Sequence, residues 1–224
     1  MVYNGRCKSG KVKTEKVEIV GKIKIPSKNI EEKGRIQWFI HSSLSELPVR
    51  DVTNEDGRGH KTEPHIEIEV ENYLSECYQS NISGHLDSDE KYLFLVTRCL
   101  NKNMEEYGKN YFVGYMIKEE ELHLRDEKGN EWKAVKGKTF IYPFNKALLY
   151  YEVYPTIYRL KKVDEKDTKK ILNHFKHKHN ILQDCIKEII RLDEKNENDN
   201  KTCIVLRGGK CEYEKECLRW NYER

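Results

Sequence analysis

The chain has 224 residues, which is room for one large domain with a buried core, or a medium domain with an appendage, and excludes a multidomain machine. Hydrophobic residues make up 37% and charged residues 35%, a composition that predicts a small core beneath a highly charged surface. The formal net charge of +3 excludes a generic polycation that coats DNA or membranes through bulk charge.

The N-terminal third predicts two strands followed by a long loop. Residues 17–25 alternate apolar and charged side chains, the pattern of a half-buried strand, and residues 34–43 (GRIQWFIHSS) predict a second strand. Residues 51–64 are polar and contain two glycines, which indicates an exposed loop. Residues 65–77 begin with strand-like alternation and end with helical spacing, so we expect an extended entry that passes into a helix.

The middle of the chain is typical of buried strands. Residues 91–100 (KYLFLVTRCL) form a near-continuous apolar run, which predicts a central strand. Residues 110–117 predict a second buried strand, and Gly114 within it permits a bulge or a close backbone approach. Residues 132–142 alternate again, and residues 148–160 are rich in strand-forming side chains.

The C-terminal part predicts helices. An apolar stripe runs from Ile171 to about Leu192, with N-cap groups offered by Asp167 and Thr168, as one long helix or as two with a break near Asn180. Residues 196–201 (NENDNK) lack any core-forming side chain, which predicts a linker. We therefore divide the chain into a β-rich domain at 1–160, a helical segment at 161–195 and a linker with a cysteine-containing tail at 196–224.

The charges are distributed unevenly along the chain. Residues 1–25 carry seven Lys and Arg against two Glu, a net charge of +5, whereas residues 46–90 carry twelve acids against three bases, a net charge of −9. A basic arm of this kind can bind phosphates. The alternative is that both segments are solvated faces whose charges pair across the fold. Residues 176–179 (KHKH) predict a solvated helix face, with phosphate contact as the alternative.

The first residues (MVYNGRCKSGKVK) contain no apolar stretch, and no window approaches the ~18 to 20 apolar residues that span a bilayer. We therefore expect a cytoplasmic protein without a membrane partner. Seven cysteines are an odd number, and three of them, Cys203, Cys211 and Cys217, lie close together near the end. In a reducing compartment this favours buried thiols and a metal group over disulfides.

The spacing of those three cysteines matches the first two intervals of a CCCH zinc finger, but Asn221 stands where the histidine would follow. A fourth ligand for zinc or an iron-sulfur cluster would come from Cys185, Cys7, or the helix histidines His174 and His177. The alternative is that each cysteine is a small buried apolar residue.

The order of the strands carries a family resemblance. A strand that runs into a polar end, Trp38 to Ser43, is followed by a loop, a helix, the apolar run Tyr92 to Arg98 and the segment Tyr111 to Ile117 with its central glycine. Over about residues 34–153 this succession resembles the PUA-like superfamily, and within it the EVE and YTH domains. The resemblance implies an α+β fold with a small, strongly curved mixed β-barrel flanked by helices, and a cleft that accepts a flipped, often modified, nucleobase.

The same resemblance implies a set of nucleic-acid-binding residues. The end of the first strand would contribute His41, Ser42 and Ser43, and the buried strand would contribute Thr97 and Arg98. Base stacking would fall to the aromatic residues Trp38, Tyr111, Trp132 and Tyr142, for which core packing is the alternative role. The positions of the cage tryptophans of YTH domains hold Cys77-Tyr78 and Leu100-Asn101 here, so the resemblance does not specify which base is recognised.

A catalytic interpretation competes with simple binding. Glu63, His65, Glu67 and Glu69 alternate along one segment and could bind a divalent cation for phosphodiester hydrolysis. The sequence contains no nucleophile elbow, Walker loop, dinucleotide fingerprint or His-Glu-x-x-His. We therefore predict a non-catalytic protein that binds DNA or RNA, with a metal-dependent nuclease or a base-modification enzyme as the alternative, and a protein-interaction module as a third.

Overall fold

The computed structural model describes residues 18–24, 31–52, 73–75, 90–125, 129, 131–156 and 162–202. These residues form a mixed α+β structure with two helices and one eight-stranded sheet. The strands and helices are β1 (Glu18–Lys24), β2 (Glu31–Phe39), β3 (Tyr73–Ser75), β4 (Glu90–Arg98), β5 (Asn110–Arg125), β6 (Glu131–Ile141), β7 (Leu148–Leu149), β8 (Lys162–Val163), α1 (Glu165–Phe175) and α2 (Leu182–Thr202). Neither described helix is long and apolar enough to cross a membrane.

The sheet is organised around β5, whose 16 residues pair with four other strands. β4 and then β1 lie along one side of β5, while β7 and β6 lie along the other. The strand path is β3-β6-β5-β4-β2-β8, in which only β2 and β4 are parallel neighbours. Within the described residues β3 and β8 do not pair with each other, so the sheet is open and the predicted barrel closure is not confirmed.

The core lies on both faces of the sheet. Alternate residues of a strand point to opposite faces, and in β4 Leu93 and Leu95 face one apolar cluster while Phe94 and Val96 face the other. Helix α2 contributes residues such as Ile189 to the first cluster, and α1 contributes residues such as Phe175 to the second. This two-sided burial explains the near-continuous apolar run of β4 and confirms its prediction as a central strand.

Gly114 lies at the place where β4 and β5 shift register. Leu95 pairs with Gly114 but Val96 pairs with Phe112, so one residue of β5 bulges out of the ladder. A Cβ atom at position 114 would lie 2.1 Å from the carbonyl oxygen of Phe140 on β6. The prediction of a bulge and a close backbone approach is confirmed on both counts.

Four local predictions were wrong. Tyr73–Ser75 is a strand rather than part of a helix, because it pairs with residues 134–136 of β6 and sheet pairing outweighs local helical spacing. In residues 148–156 only Leu148–Leu149 is a strand, and a 3-10 turn at Tyr150–Glu152 follows it.

The N-cap of α1 is Asp164, whose carboxylate accepts the Asp167 N–H at 2.8 Å. Helix α2 continues to Thr202 through the predicted linker, since extending an established helix fixes only one residue per added hydrogen bond.

The helical region forms two helices, which is one of the two predicted alternatives. The connection at 176–181 separates α1 from α2, and Asn180 lies inside it. The proposed boundary between domains at 160 and 161 lies outside the described residues and stays a prediction.

We expect Gly114→Ala to lower the free energy of unfolding by about 1–3 kcal/mol, because the added methyl meets a backbone carbonyl that cannot rotate away. Gly21→Ala is the matched control, since its Cβ would be 3.4 Å from the nearest atom, His123 Cβ, which is ordinary contact. Urea denaturation of both variants measures the difference. Equal unfolding free energies for the two variants would contradict the close approach.

Candidate functional site

Polar side chains concentrate at the end of the sheet where β2 and β4 finish. Because these two strands are parallel, their carboxyl ends meet at one edge, from which residues 40–52 and 99–109 continue as loops. Of the eleven buried polar or charged residues in the described part of the chain, seven lie here, and we call them the polar edge: His41, Ser42, Ser45, Arg50, Thr97, Asn101 and Asn110. Burying polar groups is costly unless they are hydrogen-bonded, so this edge needs internal partners.

His41 connects the two loops. Its Nε2 donates to the carbonyl oxygen of Leu47 at 2.9 Å, and its Nδ1 accepts the N–H of Leu100 at 3.0 Å. This pairing requires a neutral imidazole with the proton on Nε2. The side chain is fully buried, and its ring packs in a T-shaped arrangement with Phe144, with 4.9 Å between the ring centres. Burial lowers the pKa of His41 to about 4.

Further side-chain bonds fix the same two loops. Thr97 Oγ1 donates to the carbonyl oxygen of Phe39 at 2.7 Å, which joins the ends of β4 and β2. Asn101 Nδ2 donates to the carbonyl oxygen of Ser45 at 3.0 Å, and the Ser45 hydroxyl accepts the N–H of Leu47 at 3.1 Å. The polar edge therefore acts as a scaffold that holds its loops in one arrangement.

Helix α2 also contacts this scaffold. Hydrogen bonds from Arg191 and from the Ser45 hydroxyl lower the pKa of the Glu188 carboxyl, with Arg191 as the larger cause. The loop that begins after β2 is thus attached both to the loop after β4 and to α2.

Exposed groups form a rim over the polar edge. Arg98 is exposed at the end of β4, and its Nε donates to the carbonyl oxygen of Gly108 at 2.9 Å. Gly108 has a φ of 79°, a left-handed conformation that suits glycine and tightens the turn. We use the name rim for six exposed residues of this surface: Ser43, Leu44, Arg98, Lys102, Tyr107 and Lys109.

Six of the nine predicted nucleic-acid-binding residues lie at this edge. Ser43 and Arg98 are exposed on the rim. His41, Ser42 and Thr97 are buried beneath it, and Tyr111 is buried with its ring 5.6 Å from Phe144, which also contacts His41. A ligand approaching this edge would therefore meet the rim first.

The other three predicted residues do not join this group. Trp38 packs at 5.2 Å from Tyr150 and Tyr142 stacks at 4.3 Å on Phe175, both in the apolar cluster on the opposite face. Trp132 pairs with Leu124, ten residues before Tyr142 and about 30 Å away along the strand direction. The four aromatic residues therefore do not line one common cleft.

Tyr107 was not predicted, although it is 46% exposed directly beside the Arg98–Gly108 contact. The signal available in the sequence was an aromatic residue directly before a glycine in a polar connection, EEYGKN. Such a residue has no core to enter, so it presents its ring to solvent.

Only some of the candidate metal ligands lie within the described residues. Cys203, Cys211, Cys217 and the acidic set from Glu63 to Glu69 lie outside them. His174 lies in α1 whereas His177 follows its end with a φ of 65°, so the prediction that both histidines lie in a helix was wrong. Burial raises the pKa of Cys185 to about 12, which disfavours the thiolate that a metal requires. Among the described side chains no three His, Cys, Asp or Glu gather as a metal site.

Comparison with models of known protein families, with curated proteins and with solved structures finds no match to this chain.

We expect stability to fall between pH 7 and pH 4 because of His41. Its pKa is depressed from 6.5 to about 4 in the folded protein, so the unfolded chain binds the extra proton first. The stabilisation is complete above pH 6.5, is lost as pH falls towards 4, and amounts to about 3 kcal/mol.

Denaturant unfolding of the wild type and of His41→Asn across this pH range measures the effect, and the variant should lose this part of the pH dependence. His179→Asn removes an exposed histidine and serves as the control. A pH dependence that is unchanged in His41→Asn would contradict the buried neutral imidazole.

Proposed function

We propose that this protein binds single-stranded DNA or RNA at the rim and holds a base there by stacking, without catalysing a reaction. The observation that carries the proposal is a hydrogen bond from a cation at the end of β4 to the turn that carries an exposed aromatic ring. Arg98 is hydrogen-bonded to Gly108, and the exposed Tyr107 precedes that glycine. Binding of a single strand requires just such a combination, a cation for the phosphate and a ring for the base.

Arg98 is suited to phosphate recognition. Its Nε is used by the carbonyl of Gly108, and no carboxylate of the described residues forms an ion pair with its guanidinium. The planar guanidinium carries further N–H donors in a fixed geometry that matches phosphate oxygens. The bond to Gly108 removes part of the side-chain freedom that binding would otherwise have to remove.

The charge of the connection after β4 indicates a local contact rather than bulk attraction. Arg98, Lys102 and Lys109 are accompanied by Glu105 and Glu106 in the same segment. Few phosphates are neutralised by such a surface, so its affinity depends on the fit of a base and its neighbouring phosphate. This agrees with a net charge of only +3 for the whole chain.

The arrangement of His41 favours binding over catalysis. It is the imidazole at the polar edge, and both its nitrogens are engaged by backbone groups of Leu47 and Leu100. A general base needs a nitrogen within reach of a substrate proton. His41 instead holds the loops that carry the rim.

We extend the proposal to the fold by inferring a distant relationship to PUA-like domains. The parallel pair of β2 and β4, the bulged β5 with Gly114 and the polar end of β2 support it. Within the described residues the sheet is open, so any closure would involve other parts of the chain.

We expect Arg98→Ala to weaken binding of a single-stranded oligonucleotide about fivefold at 0.1 M salt and to reduce the salt slope by about 0.7, because one phosphate contact is lost. Arg125→Ala is the matched control, since Arg125 is equally cationic, is paired with Glu131, and lies at the other end of β5. Fluorescence anisotropy over a salt series measures both variants. Equal losses in the two variants would indicate a nonspecific charge effect, and no binding by the wild type would refute the proposal.

We expect Tyr107→Ala to weaken the same binding by about 1–3 kcal/mol through the loss of a stacking surface. Tyr107→Phe keeps the ring and should bind like the wild type. Because Tyr107 is exposed, both variants should keep the wild-type unfolding free energy. Anisotropy titrations at one fixed salt concentration measure the affinities, and an equal loss in Phe and Ala variants would exclude stacking.

A further inference from the structure

A second charged surface lies at the connection between α1 and α2. Residues 168–183 contain four lysines and three histidines but no Asp or Glu. We call the basic surface the group formed by part of this segment and a neighbouring lysine: Lys146, His174, Lys176, His177, Lys178 and His179. Residues 176–179 are largely exposed, as predicted, but they do not form a helix face, because α1 ends at Phe175.

Hydrogen bonds build this surface. Lys178 Nζ donates to the carbonyl oxygen of Lys146 at 2.9 Å and to His174 Nε2 at 2.6 Å. The same ammonium lies 5.7 Å from the centre of the Phe175 ring. Lys146 contributes its backbone carbonyl to these bonds, and its side chain is exposed.

The connection is fixed to the sheet at its other end. Asn180 Oδ1 accepts the N–H groups of Ile141 and Leu182 at 2.9 and 3.1 Å, and its Nδ2 donates to the carbonyl oxygen of Thr139 at 3.2 Å. The Ile181 N–H also donates to the carbonyl oxygen of Ile141. The cations are therefore held on a rigid backbone, and an anion would bind them with little loss of backbone freedom.

Two lysines of the basic surface, Lys146 and Lys178, repel each other. Burial, and then repulsion from Lys146, lowers the pKa of Lys178, and Glu152 opposes the effect. Like charges destabilise each other, and an anion bound to this surface relieves the repulsion. Charge complementarity thus favours an occupant with several negative charges.

The basic surface lies at the same end of the sheet as the rim. β4 and β6 both run towards this end, as the antiparallel pairing of each with β5 requires, and Ile141 ends β6 opposite Gly114. One 3-10 turn, Phe144–Lys146, joins the two sites: Phe144 packs against His41 and Tyr111, and Lys146 accepts the bond from Lys178.

We propose that the basic surface binds the phosphate backbone of the same nucleic-acid strand whose base contacts the rim. This inference rests on the function proposed above and extends it, because the connection after β4 carries too few cations to hold a longer strand alone. Lys146, Lys176 and Lys178 contact successive phosphates, while Arg98 and Tyr107 hold the nucleotide at the rim.

The experiment compares a double variant of the basic surface with a matched control. Lys146→Gln combined with Lys176→Gln removes two exposed charges and leaves the Lys146 carbonyl in place. Lys187→Gln combined with Lys195→Gln removes the same charge from exposed positions of α2. Anisotropy is measured over a salt series with a long single-stranded oligonucleotide and with a dinucleotide that spans only the rim.

For the long strand, the basic-surface variant should lose about 1.4 from the salt slope, which is about 25-fold in affinity at 0.1 M salt, as two lost phosphate contacts predict. The control should bind like the wild type, and dinucleotide binding should be unchanged in all proteins. Circular dichroism checks that the variants are folded, and Lys146→Gln alone, with half the change in slope, replaces the double variant if that protein is unfolded.

Two results would overturn this inference while leaving the proposed function intact: equal salt slopes in the two double variants, or displacement of the long strand by polyglutamate at equal charge, which would indicate an acidic protein partner. In both cases Arg98→Ala would still weaken binding of the dinucleotide. Absence of any binding by the wild type would overturn the inference and the proposed function together.

Discussion

Burial of β4 on both faces is the constraint on which the rest of the structure depends. Its side chains alternate between two apolar clusters, one covered by α2 and the other by α1. A strand in this position must have neighbours on both edges, because unpaired backbone groups in a core are costly. β5 and β2 are these neighbours. Because β2 is parallel to β4, the carboxyl ends of the two strands meet at one edge of the sheet.

That edge creates a problem that polar side chains solve. Two loops leave the core at the same place, and their backbone groups need partners there. The side chains of His41, Thr97 and Asn101 form hydrogen bonds with backbone groups at the strand ends and in the two loops. The resulting scaffold is rigid, and it fixes what lies above it, so the exposed Arg98 and Tyr107 are presented on a defined surface. A neutral imidazole in this role links the stability of the loops to pH.

Much of the fold could be predicted because its strongest patterns are local. The apolar run of β4 and the alternation in β2 and β6 reflect burial that follows directly from side-chain period. β1 forms a strand as its alternation predicts, although its Ile23 is 54% exposed. The strand at Tyr73–Ser75 could not be predicted, because its conformation comes from pairing with β6. The continuation of α2 to Thr202 also depended on more than the local residues.

The sequence by itself determined which residues are apolar, which are charged and where glycine permits a close approach, and these features specified a central strand, a mixed α+β fold and a polar end to β2. Only the tertiary structure decided what those polar residues do. His41 and Ser42 became buried supports, Tyr142 and Trp38 became core on the opposite face, and Tyr107, Lys146 and Lys178 came to the same end of the sheet. The physical reason is that strand period fixes only which face a side chain occupies, whereas strand order and direction fix which distant residues meet there.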